Sequence, residues 1–243
     1  MSAPASAPTE TSPAVTALRT RDAPASHCTS CNRPLSWYEN VPLIGWIALR
    51  GRCRTCHAAI SPIYPVVEVL TGALFACGYA IYGLTPLLAV RLLFASAMIV
   101  LFAIDLRHHI LPNVITLPGI VIGFACSVFL PPGWVGSLIG IAIGGGVLYA
   151  IGEGYYRLRG IDGLGMGDVK MLAMIGAFLG WKLTLVTLVL ASLAGSVVGI
   201  GLIVTGRGGM KYALPFGTFL AVGALAAAVA GDPLVAWYAS FYR

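Results

Sequence analysis

The sequence predicts an all-α polytopic membrane protein of about seven transmembrane helices, preceded by a small cysteine-rich domain. Three observations predict it. Apolar residues make up 58% of the 243-residue chain and charged residues only 10%, where a soluble domain carries about 25% charge. The mean hydropathy is +0.88. Seven apolar stretches follow one another from residue 65 onward, most of them long enough to cross about 30 Å of hydrocarbon. The net charge of +6 is modest, and in such a chain Lys and Arg report orientation before they report partners. No interleaved aromatic and basic pattern is present, so a nucleic-acid partner is not expected.

Residues 1–27 are rich in Ala, Pro, Ser and Thr and hold no apolar core of a signal peptide. They read as a disordered cytosolic tail. Residues 28–64 form the second region. Cys28-x-x-Cys31 opens it and Cys53-x-x-Cys56 closes it, with 21 residues between the pairs. Four thiolates in two such knuckles suit a tetrahedral zinc site. Two disulfides are the alternative, which needs an oxidising compartment. His27 and His57 flank the cysteines and read as surface residues. Arg33, Arg50, Arg52 and Arg54 make the region basic, which is either a solvated face or an attraction for anionic lipid headgroups.

Residues 65–243 carry the apolar segments: Pro65–Tyr82, Leu87–Ile104, Val114–Leu130, Val135–Ile151, Val169–Gly180, Leu183–Thr205 and Phe216–Val229. Val169–Gly180 is too short to span alone at about 1.5 Å per residue. It either begins within the preceding glycine turn or runs on past Trp181-Lys182. Leu234–Arg243, rich in Trp and Tyr, suggests an interfacial helix. Arg107 with His108 and His109, Arg157 with Arg159, and Arg207 with Lys211 fall on alternate connections. The positive-inside rule makes those connections cytosolic and puts the cysteine region there too, which favours zinc over disulfides. Lys182 is the one mild dissent. Glycines in Gly136–Gly146 and Ala191–Gly201 suit close helix packing, and Gly140 to Gly144 fits G-x-x-x-G weakly. Cys77 and Cys126 read as small hydrophobes, and Arg91 as a residue that snorkels or packs in the bundle.

In this topology Asp105 ends one span and Asp168 begins another at the same cytosolic depth. Carboxylates at such a place are functional candidates. Two Asp that share a proton can activate water for peptide hydrolysis, one as base and one as acid. Either Asp alone reads as an ordinary helix cap; together, with Gly165-Met166-Gly167 before Asp168, they read as a dyad. Gly165 and Gly167 allow a tight turn and a close backbone approach. The helix dipoles favour charge on Asp168, at a helix start, and the proton on Asp105, at a helix end. His108 and His109 read as loop residues.

The residues Gly165-Met166-Gly167-Asp168-Val169-Lys170, Asp105, Leu111-Pro112-Asn113 and Thr116-Leu117-Pro118-Gly119 resemble the type IV prepilin peptidases, which are Gly-x-Gly-Asp membrane aspartic peptidases. Leu35-Ser36-Trp37, Asn40-Val41-Pro42, Leu49-Arg50-Gly51-Arg52, Ile60-Ser61, Tyr64-Pro65 and Glu68 around the four cysteines extend the resemblance from about residue 28 to the end. It implies an inner-membrane enzyme that removes a basic leader from prepilins and pseudopilins after Gly, at the cytosolic face. Many such enzymes then methylate the new N-terminus with S-adenosylmethionine. It implies that Asp105 and Asp168 are catalytic, that Cys28, Cys31, Cys53 and Cys56 bind zinc, and that Gly165, Gly167, Lys170 and Glu68 support or bind substrate. Family members with the cysteine unit usually begin with a membrane helix carrying Gly-Ser-Phe-Leu-Asn, and here the polar tail stands in that place. Proteolysis is expected to depend on that helix less than methylation does. The rival reading is a transporter or channel with Asp105 and Asp168 as a proton or cation site; it predicts ionisable residues throughout the membrane depth and related halves. A third is an inactive assembly protein.

Overall fold

The computed structural model describes residues 26–160, 165–205 and 215–241. The expected N-terminal tail apart from its last two residues, the cations Arg207 and Lys211, and Arg243 lie outside them. The chain divides into two compact units, Met1–Leu70 and Thr71–Arg243.

The first unit is held by polar contacts and short turns. A 3-10 turn, Trp37–Asn40, precedes α1, Ile44–Ala48. Glu39 caps the turn: its Oε2 accepts the Ser36 amide at 2.8 Å, and Arg33 Nη2 donates to both carboxylate oxygens at 2.6 and 2.5 Å. The Ser36 amide and the Arg33 guanidinium hold the Glu39 carboxyl below the usual range. Arg33 is therefore turned to an internal partner rather than contributing to a solvated basic face. Arg54 donates to the Tyr38 hydroxyl. Gly45 is required by close approach, because a Cβ there would overlap the Glu39 carbonyl.

The second unit is helical. α2 (Ile63–Tyr82) begins in the first unit and continues into it, followed by α3 (Pro86–His108), α4 (Asn113–Ser127), α5 (Trp134–Arg159), α6 (Met166–Val204) and α7 (Phe216–Ser240). Thr85 caps α3 by accepting the Leu88 amide, and Pro86 fits the first turn, where its missing N–H costs nothing. α3 and α5 run past their apolar stretches and take Arg107, His108, Arg157 and Arg159 into their last turns. Cations are favourable at that negative helix end.

Among the described residues, five helices are long and apolar enough to cross a membrane: α2, α3, α5, α6 and α7. α4 has only 15 residues. α6 is two helical pieces joined at Gly180, whose φ of 76° and ψ of 169° lie outside the helix region. Counted as pieces among the described residues, the apolar helical segments number seven, but only five helices reach the length of a span. The short segment after Asp168 both starts early, at Met166, and continues past the kink. Leu234–Arg243 is not a separate helix, since α7 continues through Pro233 to Ser240. Gly231, two residues before that proline, lies close against Leu183.

Small residues set the helix seams. α5 and α6 meet at Gly140 and Gly176, where a Cβ on either would run into the other's carbonyl oxygen. Gly144 meets the Leu172 carbonyl in the same way. The weak G-x-x-x-G signal is thus the α5–α6 seam. Gly123 of α4 fits against Phe178, and Gly223 of α7 against the Thr187 carbonyl. Among these seams lies a core that includes Phe94, Met98, Leu101, Met171, Ile175 and Leu220. Val189, Val197 and Ile200 stay exposed along the second half of α6, as suits a face toward lipid.

The break at Gly180 strands carbonyls of the preceding turn, which have no water to turn to in a bilayer. Side chains supply donors instead. Ser137 Oγ donates to the Ala177 oxygen at 2.9 Å, and Arg91 Nη1 donates to the Phe178 oxygen at 3.4 Å. The Arg91 guanidinium also sits 5.9 Å from the centre of the Tyr82 ring. Arg91 packs in the bundle.

Candidate active site

Three helix ends converge on Leu111. The first is the last turn of α3, which carries Asp105, only 4% exposed. α3 closes at His109, whose left-handed φ of 53° returns its amide to the Asp105 carbonyl. The chain then passes Leu111 and reaches α4. The second is the first turn of α6. Gly165 is its N-cap, and the Asp168 amide donates to the Gly165 carbonyl at 3.0 Å. A Cβ on Gly167 would come within 2.9 Å of Leu111 Cβ. The third is the first turn of α7. A Cβ on Gly217 would meet Asp105 Oδ2 at 2.8 Å and Leu111 Cδ1 at 3.0 Å. The Thr218 amide donates to Asp105 Oδ2 at 2.7 Å.

Asp105 and Asp168 are therefore brought to one place from residues 63 apart in the sequence. Gly165 and Gly167 act differently from the expected tight turn. Gly165 has an ordinary extended φ of −71° and Gly167 lies within α6. Their value is room: Gly167 admits the Leu111 side chain, and a Cβ on Gly165 would crowd the Asp168 carboxylate at 3.2 Å. The asymmetry that puts the proton on Asp105 also weakens, because Asp105 faces the positive start of α7 as well as ending α3.

Lys170 Nζ donates to Asn113 Oδ1 at 2.9 Å, tying the start of α6 to the start of α4. Glu68 lies in the other unit, where its Oε2 accepts the Leu43 amide at 2.7 Å. It thereby holds a residue whose φ of 61° is unusual for Leu. His108 and His109 are exposed. The Gly217-Thr218 contribution was not read from the sequence. The only signal for it is Pro215-Phe216-Gly217-Thr218, a Pro and a Gly opening a span on the same side as the two Asp.

The four cysteines form a second centre. Their Sγ atoms all lie within 4.8 Å of one another and could hold a metal ion. Cys28 and Cys56 are 3.8 Å apart, and Cys31 and Cys53 are 4.0 Å apart. A tetrahedral ion with bonds of about 2.3 Å to sulfur needs edges of about 3.8 Å, whereas a disulfide needs about 2.05 Å. The two knuckles are built alike. Antiparallel bridges His27–Pro34 and Arg52–Ala59 close them. In each, the residue after the second Cys is left-handed: Asn32 at φ 53° and His57 at φ 56°. His57 thus shapes a knuckle as well as facing solvent. Backbone amides aim at the sulfurs. Those of Cys56 and Thr55 pull the Cys53 thiol down to about 6, and those of Ser30 and Cys31 lower Cys28. Against the pull of the Ala58 amide, burial and the neighbouring thiols push Cys56 up to about 11. Thiolate charge crowded in this way is the chemistry of a cation site.

Known proteins share this arrangement of sequence. Residues 14–82 match the bacterial peptidase A24 N-terminal domain, and residues 92–200 match the type IV leader peptidase family. The chain is 40% identical over 223 residues to a prepilin leader peptidase/N-methyltransferase of Aeromonas salmonicida, covering 89% of this chain and 75% of that one. A protein of the same name from Burkholderia pseudomallei is 38% identical over 216 residues, covering 86% and 68%. One from Myxococcus xanthus is 42% identical over 192 residues, covering 77% and 57%. No solved structure matches the chain.

Proposed function

Because this chain belongs to the type IV leader peptidase family, we propose that it removes the basic leader of prepilins and pseudopilins through an aspartic dyad of Asp105 and Asp168. The observation that carries the reading is the convergence of both carboxyl-bearing helix ends on Leu111. One carboxylate takes a proton from a water molecule, and the oxygen attacks the carbonyl carbon of the scissile Gly. The other carboxyl gives its proton to the departing nitrogen. The C–N bond breaks, and the dyad is left with one proton, as it began. Nothing in the relatives' names supports a transporter.

The positive-inside pattern of Arg107, Arg157 and Arg159 supports the reading that these helix ends lie at the cytosolic face of a bacterial inner membrane. There a basic leader would lie in the cytosol while the substrate's apolar helix stays in lipid. Arg50 and Arg52, neither of them buried, suit anionic headgroups. The domain assignment follows the same division: a tail over 1–27, a metal-binding region over 28–64 and a peptidase domain over 65–243.

The metal is zinc, by its preference for four thiolates in tetrahedral array. Purified protein should hold one zinc per chain. Replacing Cys53 with Ser should abolish this and make residues 28–64 sensitive to protease, because such sites contribute folding energy outright. Metal analysis and limited proteolysis would check both. The relatives' names also imply N-methylation, with S-adenosylmethionine supplying an electrophilic methyl group. A cavity of about 470 Å³ in the first unit, lined in part by Asn40, Trp46 and Glu68, falls in the size range of small-molecule sites, about 300–1,000 Å³. Its indole and carboxylate are groups suited to an adenine ring and ribose hydroxyls.

The test is co-expression with a prepilin bearing a basic leader and a Gly-Phe junction. A mass loss equal to the leader, absent without this chain, is the expected result, and an added methyl would appear in the same spectrum. Intact prepilin beside folded, membrane-inserted protein would overturn the peptidase reading.

A further inference from the structure

The start of α7 takes part in the site in a way that neither aspartate motif reveals. We propose that Gly217 and the Thr218 amide are positioning groups for Asp105, and that the first turn of α7 is the third wall of the active site. The inference rests on the assignment of Asp105 to the dyad.

Three observations carry it. First, the Thr218 amide donates to Asp105 Oδ2 at 2.7 Å in a buried setting. Thr218 is the third residue of α7, and amides of a first turn have no partner within their own helix. Without Asp105 that donor would be stranded, and a buried polar group without a partner is costly. Second, Gly217 has no space for a side chain. A Cβ there would sit 2.8 Å from Asp105 Oδ2, 3.0 Å from its Cγ and 3.0 Å from Leu111 Cδ1. Glycine lets the helix start close onto the carboxyl itself. Third, the turn is rigid on its other side, since Thr218 Oγ1 donates to the Pro215 carbonyl at 2.7 Å.

The consequence for chemistry is directional. One oxygen of Asp105 is pinned to the backbone, which fixes the plane of the carboxyl. The other oxygen is left to serve the water and Asp168. A backbone donor does this better than a side chain, because it has no rotamer to lose and needs no rearrangement during reaction. A catalytic group displaced by about 1 Å can cost about 10²-fold in rate. Gly217→Ala forces a displacement of that order, because the carboxyl cannot stay where a methyl would be.

The experiment measures cleavage of the Gly-Phe prepilin by purified full-length protein in detergent. Wild-type cleavage and its loss in Asp168→Asn first establish the dyad itself, independently of α7. Gly217→Ala should then lower kcat on the order of 10²-fold while KM stays within about twofold, since the substrate's own contacts are untouched. Thr218→Pro removes the amide hydrogen in the first turn of α7, where that donor serves no bond of its own helix, and should lower kcat in the same way; Thr218→Val, which loses only the Oγ1 bond to Pro215, should fall less. Gly146→Ala, with nothing within 4 Å of its added methyl, should keep wild-type kinetics. If Gly217→Ala does not accumulate, Thr218→Pro decides. A kcat within about twofold of wild type in whichever variant folds would overturn the proposal. So would a loss confined to KM.

Discussion

Asn in place of Asp168 should eliminate leader cleavage while leaving the protein folded, and Asn in place of Asp105 should do the same. The amide is nearly the size and shape of the carboxyl, and its oxygen could still accept the Thr218 amide that Asp105 holds at 2.7 Å. What each substitution removes is the ability to take up or release a proton. General acid–base catalysis contributes about 10²–10⁴-fold, so either variant should fall below detection in a mass-spectrometric assay of leader removal. The double variant should be no worse than the singles, because groups that act as one unit are not additive. Appreciable cleavage by the double variant would rule out the dyad, whereas no cleavage by folded wild-type protein would return the chain to the assembly-protein reading, in which Asn is tolerated at both positions.

The second large effect is on folding. Leu in place of Gly176 should prevent stable assembly of the bundle. Gly176 and Gly140 face each other with backbone against backbone, and a Cβ on either meets the opposite carbonyl. Overpacking a core usually costs about 1–3 kcal/mol. Here no side chain can move aside to relieve it, so the cost should reach the top of that range or exceed it. Gly146→Leu, on the facing helix α5 but with open space around it, is the control and should accumulate normally. Thermal unfolding of the purified variants would read the difference. A stable Gly176→Leu protein would mean that α5 and α6 are not joined at this seam.

Hydropathy made the helices legible, because a bilayer demands about 20 apolar residues per crossing and the chain supplies them in separated blocks. The two Cys pairs were legible because knuckle spacing is a local constraint. What stayed hidden depends on contacts between distant residues. The Gly180 kink looks like any other glycine in a chain that has 30 of them. It exists because Ser137 and Arg91, on two other helices, bond the carbonyls it strands. The run of α7 past Pro233 goes against the usual helix-breaking effect of proline. The bond of Glu68 to the Leu43 amide, 25 positions away, was hidden in the same way. The Thr218 contact is made by a backbone amide, which every residue but proline possesses. No residue type announces it.

The ring contact between Phe94 and Phe178, with centroids 5.2 Å apart, has a mechanical meaning. Asp105 lies eleven residues beyond Phe94, and Asp168 lies ten residues before Phe178. At about 1.5 Å per residue, each carboxyl is carried on an arm of roughly 15–17 Å from that contact. One degree of opening between α3 and the first half of α6 would part the carboxyls by about 0.3 Å, and two degrees would exceed the roughly 0.5 Å over which catalytic geometry holds. On the proposed dyad, the angle between α3 and the first half of α6 thus sets the gap across which the two carboxyls share a proton.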